Sequence, residues 1–200
     1  MLVIHCLPLQ SFSGKAQFDV LALTDVEPLN PRDPNSGNSS RMRINFEGQI
    51  SISTKSDDSS GYTQVFRHGA IEAVAVGILN SSKEPRRIPS HAYENCVVTY
   101  LTQCFEILER LGCSPPVFVG ISLVGVRGLK MAVSGEDLMY KSDSGAIEKD
   151  VLVLPEIVVE SPTAAWGSLL KPTLDLVWNA CGYAESKWFD SSGQWVGRTR

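Results

Sequence analysis

The stretch Gly120-Ile121-Ser122-Leu123-Val124-Gly125 follows an apolar run and invites comparison with a nucleophile elbow. An elbow needs G-x-S-x-G leading into a helix, because tight packing there forbids a side chain at the second glycine. Val124 occupies that position and another Gly-rich turn follows, so Ser122 reads as a strand residue. Gly125-Val126-Arg127-Gly128 could offer backbone amides and a guanidinium to an anion. The same spacing serves a tight turn between strands, which is the reading adopted. The three histidines are His5, His68 and His91. His91 and Glu94, three residues apart on one helical face, have the types of an acid–base pair; capping of a first helical turn explains both more simply. Arg67, His68 and Glu72 flank a hairpin turn and could point together into solvent, with a cross-strand ion pair as the structural reading. The candidate ligand- or partner-binding residues are therefore Arg67, His68 and Glu72 of this hairpin, Arg127 of the glycine loop, and Trp188 and Trp195 near the end of the chain. No residue is assigned a catalytic role.

Metal and cofactor chemistry finds little to work with. The five cysteines, Cys6, Cys96, Cys104, Cys113 and Cys181, leave one over in any pairing and form no C-x-x-C. A zinc site is usually announced by close pairs of soft ligands, so buried, reduced thiols are expected here. Asp33-Pro34-Asn35-Ser36-Gly37 resembles the opening of a calcium loop, but Ile44 at the twelfth position cannot supply the bidentate carboxylate. Neither a metal nor a cofactor is expected.

The elements that would position these residues can be read from periodicity. An apolar, β-branched strand runs over 2–9, and a loop rich in turn formers over 30–40. Ile44, Phe46, Ile50 and Ile52 alternate with polar residues, which predicts a strand with one wet face. Two more strands follow at 62–67 and 70–79, joined at His68-Gly69 where a hairpin turn needs positive φ. Together they predict an antiparallel meander. Ser90 can cap a helix whose apolar stripe is Val97, Leu101, Cys104, Leu108 and Leu111, closed by Gly112. Glu94 in its first turn favours the positive end of the helix dipole. The run 117–124 is apolar on both faces and predicts a central strand covered on both sides. Residues 129–133 continue it or return beside it. A further strand over 151–159 is interrupted at Pro155, which suits an edge. A second helix opens at Ser161-Pro162 and ends at Gly182, and Pro172, which removes one backbone donor, predicts a kink or split near Leu170.

With 43% hydrophobic and 20% charged residues in 200, the chain is expected to be one α+β domain over 1–200. Its fold class is a largely antiparallel sheet with two main helices packed on it, and its loops lie at about 30–40 and 134–149. The net charge of −4 argues against gripping a phosphate backbone unaided, since released counterions supply most of that affinity. The start lacks a basic region and is broken by Pro8, unlike a signal peptide. The longest apolar run is about half a membrane span. A cytoplasmic protein with no membrane contact is expected.

Several ordered phrases carry a resemblance. They are Tyr62-Thr-Gln-Val-Phe-Arg-His-Gly-Ala-Ile-Glu72, Ile88-Pro-Ser-His-Ala-Tyr-Glu94, Pro115-Pro-Val-Phe118, Leu154-Pro-Glu156 and Val177-Trp-Asn-Ala-Cys-Gly182. The opening Val3-Ile-His-Cys-Leu-Pro8 and the closing Asp190-Ser-Ser-Gly-Gln-Trp195 belong with them. Together they resemble the C-terminal portion of prokaryotic proteins that begin with a Schlafen-type AlbA_2 DNA-binding domain. The similarity covers most of the chain outside the loops at 30–40 and 134–149. His68-Gly69 stands where that family has Asn-Gly, an exchange that left-handed turn geometry tolerates. The AlbA_2 domain itself is absent from these residues, so its DNA binding does not carry over. The resemblance implies a non-catalytic accessory or regulatory module. Its partner would be a protein or a fused AlbA_2 domain, with nucleic acid reached only indirectly. Two alternatives stand beside it. One is a small-molecule sensor or minor hydrolase with a pocket near Arg127, His68 and Glu72. The other is an oligomerisation domain using the second helix or the Trp188/Trp195 tail to build a homo-oligomer.

Overall fold

The structure is a computed structural model that describes residues 1–14, 17–23, 26, 39–55, 58–79, 86–133, 145–161 and 166–197. It shows an α+β fold: a largely antiparallel sheet with, among the described residues, two α-helices. The loops expected at 30–40 and 134–149 fall mostly outside the described residues, although Ser39 and Ser40 open a strand.

In chain order the sheet strands are β1 (Leu2–Pro8), β2 (Ser39–Ile44), β3 (Gly48–Lys55), β4 (Asp58–Phe66) and β5 (Ile71–Ala75), then β7 (Val117–Val124), β9 (Val151–Val153) and β10 (Ile157–Val159). Their spatial order is β10-β7-β1-β5-β4-β3-β2, with β9 also on β7. β1 lies centrally, antiparallel to β5 and to β7. The expected meander is β3-β4-β5, and the strand interrupted at Pro155 is the pair β9 and β10 along one flank of β7. Two three-residue strands, β6 (Arg87–Pro89) and β8 (Lys130–Ala132), pair in parallel as a separate small sheet. Residues after Gly128 therefore neither continue β7 nor return beside it.

Side chains of a strand alternate between faces, and the two faces of this sheet differ. Leu2, Ile4, Cys6, Val119, Ile121, Leu123, Ile71 and Ala73 enter a single core with the helices. Helix α1 (Ser90–Arg110) supplies Val97, Leu101, Cys104 and Leu108 to it as the stripe predicts. Its C-terminus closes as a Schellman motif. Gly112 takes φ 72°, and the amides of Gly112 and Cys113 bond to the carbonyls of Glu109 and Leu108. Helix α2 (Trp166–Ala180) adds Leu170, Leu174, Val177 and Trp178, and runs unbroken through Pro172. On the opposite face Val3, Leu7, Ile50, Ile52, Phe66 and Phe118 lie outside that core. β7 is thus covered on one side, with Phe118, Gly120, Ser122 and Val124 half-exposed on the other.

The strand predicted from Ile44, Phe46, Ile50 and Ile52 departs most from expectation. Asn45, Phe46 and Glu47 form a turn that divides it into β2 and β3. Gly48 makes the turn possible: it adopts φ 152°, and a Cβ there would stand 2.2 Å from the Val65 carbonyl oxygen. Beyond it the facing is inverted. Gln49, Ser51 and Ser53 are fully buried, whereas Ile50 and Ile52 look out from the uncovered face. Gln49 Nε2 donates to the Leu23 carbonyl at 2.7 Å, but Gln49 Oε1 and Ser51 Oγ are buried without a partner among the described residues. An unmet buried polar group costs about 1–3 kcal/mol. Ser51→Ala should accordingly leave stability unchanged or raise it by about 1 kcal/mol, read from the midpoint of a urea melt.

Candidate functional site

The centre of the uncovered face carries three hydrogen-bonded polar side chains. Register sets Gln64 opposite Glu72 and Glu72 opposite His5, with Tyr62 one row away on β4. Glu72 Oε2 lies 2.9 Å from His5 Nε2, and Glu72 Oε1 accepts from Tyr62 Oη at 2.6 Å. Burial alone would lift the Glu72 carboxyl. The bonds from Tyr62 and His5, with the charge of His5, outweigh it and hold the group below its usual range. Burial, followed by the bond to the Glu72 carboxylate and its charge, pushes the Tyr62 phenol up to about 12. Glu72 is thus held ionised with both oxygens occupied. It orients His5 and Tyr62 through these bonds.

The structure separates the residues proposed for one pocket. Arg67 belongs to the turn: its Nε donates to the Phe46 carbonyl at 3.1 Å and its amide to the Glu47 carbonyl at 2.9 Å. His68 is exposed and stacks on Phe66 with ring centroids 5.4 Å apart. The turn is Arg67-His68-Gly69, with Gly69 at φ 90° and its amide on the Phe66 carbonyl. Arg127 follows β7 at the other end of the sheet, where the Val124 amide bonds to the Met1 carbonyl. The intervening length of β1 spans about 20 Å at ~3.3 Å per residue. Arg127 therefore shares no pocket with His68 and Glu72, and the sensor or hydrolase site expected there is not assembled.

Nucleophiles fare no better. Ser122 lies within β7, which runs on to Val124 rather than turning into a helix, so no elbow forms. All five cysteines are free and buried. Burial pushes the Cys96 thiol up to about 12 and those of Cys113 and Cys181 to about 11, leaving almost no thiolate at neutral pH. Among the described residues no three His, Cys, Asp or Glu side chains converge as a metal cluster, and no helix is long and apolar enough to cross a membrane.

The tryptophan candidates, both half-buried, lie beside a buried carboxylate. Glu94 is fully buried and gathers three donors from distant parts of the chain. Its Oε1 accepts from Trp178 Nε1 and from Ser186 Oγ, both at 2.7 Å. Its Oε2 accepts from Trp195 Nε1 at 3.2 Å. His91 stacks on Trp195 at 5.8 Å and meets Trp188 edge-on at 5.1 Å. A second tie runs through Asp175, which accepts from the Ser186 amide and from Lys171 Nζ, each at 2.8 Å. Helix capping is therefore not the role of this segment. Pro89 precedes the first helical residue without a side-chain cap, Ser90 Oγ donates to the Ala132 carbonyl at 2.7 Å, and Glu94 binds indoles rather than His91 or helix amides. The sequence points to Glu94 as a first-turn group and not as a buried acceptor, although it lies on the helix stripe three residues before Val97.

No family model, curated protein or solved structure matches this chain. What fold and site define is a two-layer α+β scaffold, helices on one side of the sheet, the opposite side uncovered among the described residues and bearing apolar groups around a self-satisfied polar centre.

Proposed function

We propose that the chain is a non-catalytic interaction module, accessory to a nucleic-acid-binding protein partner or fused AlbA_2 domain. The uncovered sheet face carries this reading. Phe46 stands at the turn tip 90% exposed, and Phe12, 65% exposed, packs edge-on against Phe118 at 6.4 Å. Large exposed apolar side chains are common at protein contacts, and aromatic anchors supply much of the energy of such contacts. The mutual bonds of His5, Glu72 and Tyr62, and the thiols of Cys96, Cys113 and Cys181 that burial pushes up, support a non-catalytic reading. The resemblance to proteins headed by an AlbA_2 domain supports the choice of partner.

The test has two arms. Fluorescence anisotropy with labelled duplex and single-stranded oligonucleotides should show no saturable binding tighter than about 10 µM by the chain alone in low salt. Titration of the chain with a Schlafen-type AlbA_2 domain should show binding that Phe46→Asp weakens. Salt-steep DNA binding by the isolated chain would sink the proposal.

A further inference from the structure

We infer that the free edge of β2 is a docking strand for an extended acidic segment of a protein partner, one that alternates carboxylate and apolar side chains. The inference deepens the interaction-module reading and rests on it. Among the described residues β2 pairs with β3 alone and ends the sheet order. The Asn45 amide bonds to the Gly48 carbonyl at 2.9 Å. In an antiparallel ladder, hydrogen-bonded and non-bonded pairs alternate from such a closing pair. Arg43 and Arg41 therefore turn their peptide groups toward β3, while Ile44, Met42 and Ser40 turn theirs outward. An edge of this kind is a template for one more strand.

The side chains say what that strand should carry. Register places Arg41 opposite Ile52 and Arg43 opposite Ile50, so both guanidinium groups share the uncovered face and both residues are exposed. Met42 and Ile44 fall on the other face, 42% and 52% exposed. β2 carries Arg41 and Arg43 and no acidic residue, a basic margin on a chain of net charge −4. Cross-strand pairs favour opposite charges and are destabilised by like ones. A second copy pairing β2 with β2 would bring the arginines of two basic strands together. An incoming strand with carboxylates on the arginine side and apolar groups beside Met42 and Ile44 meets both faces at the two-residue period.

The probe is an end-capped eight-residue peptide alternating glutamate with valine, compared with its lysine–valine counterpart. Both are titrated into the full chain, and amide hydrogen exchange is followed by NMR. The glutamate peptide should bind about tenfold more tightly than the lysine peptide and should slow exchange at Met42 and Ile44. The double variant Arg41→Glu/Arg43→Glu should reverse the preference. Met42→Pro removes an outward donor at an edge position where proline is tolerated, so it should abolish binding while the β3–β4 amides stay protected. Equal binding of the two peptides, no binding, protection confined to the uncovered face, or self-association through β2 would each overturn the inference. An AlbA_2 domain bound equally well by Met42→Pro would overturn the edge while sparing the module reading. DNA binding by the chain itself would remove the module reading whatever the peptides do.

Discussion

Replacing Glu94 by alanine should destabilise the fold by about 3–5 kcal/mol, because two indoles and a hydroxyl lose their acceptor inside the protein at a cost of about 1–3 kcal/mol each, only part of which water can restore. In a chain of this length that lowers the melting temperature by on the order of 10 °C. The loss should be concentrated in the C-terminal segment, since Ser186 and Trp195 reach α1 through this carboxylate. Tryptophan emission should shift to the red before the rest of the domain unfolds. A melt within 1 kcal/mol of the parent (a bound set by the weakest of these costs) with unchanged emission would contradict the assignment. The same group fixes a sign for pH. Burial lifts the Glu94 carboxyl above its ordinary 4.5, the bonds from Ser186, Trp178 and Trp195 offset part of that, and Asp175 adds to the rise. The folded chain then holds this proton more tightly than the unfolded chain. Its contribution is fully present below 4.5, declines as pH climbs through the raised value, and is level above it. Glu94→Gln should flatten that part of the stability profile, measured by denaturant melts across pH.

Gly48→Ala should cost about 3 kcal/mol or more, combining a left-handed backbone with a steric clash. The added methyl would stand 2.2 Å from the Val65 carbonyl oxygen and 3.2 Å from the Arg67 amide nitrogen. Both are backbone atoms of β4 and its turn and cannot swing aside as a side chain would. The Asn45 side chain, which accepts from the Gly48 amide at 2.8 Å, would lose its partner as the turn moved, and Arg67 would lose its hold on Phe46. Glu47→Ala, at the neighbouring exposed position, should change stability by no more than about 0.5 kcal/mol. Denaturant melts of the two variants make the comparison. A Gly48→Ala protein as stable as Glu47→Ala would show that β3 can draw away from β4 at little cost.

Periodicity gives the elements their type but not their facing or partners. The stripe of Val97, Leu101, Cys104 and Leu108 is a property of one helix, so α1 and its Gly112 terminus could be read locally. β3 alternates just as clearly, yet an alternation does not say which set turns inward. That depends on the turn at Asn45 and on the strand beside it. β6 and β8 are three residues each and pair across 43 positions, too short to show a period. The candidate pocket failed because sequence proximity to turns says nothing of which end of a sheet a turn occupies, and Arg127 and His68 are at opposite ends. Glu94 meets Trp178 across 84 residues and Trp195 across 101, so its role comes from tertiary structure alone. Two signals did exist. A carboxylate on an apolar helical stripe needs donors, and an indole on another such stripe needs an acceptor.

The polar underside of β3 has an effect beyond facing. Gln49, Ser51 and Ser53 give the sheet margin little oily surface to hide, whereas β1 is gripped by apolar side chains beneath it. Local opening should therefore begin at β2 and β3 and stop before β1, because resistance to opening scales with the apolar contact an element must give up. The region best placed to accept a partner strand is also the one the fold itself secures least.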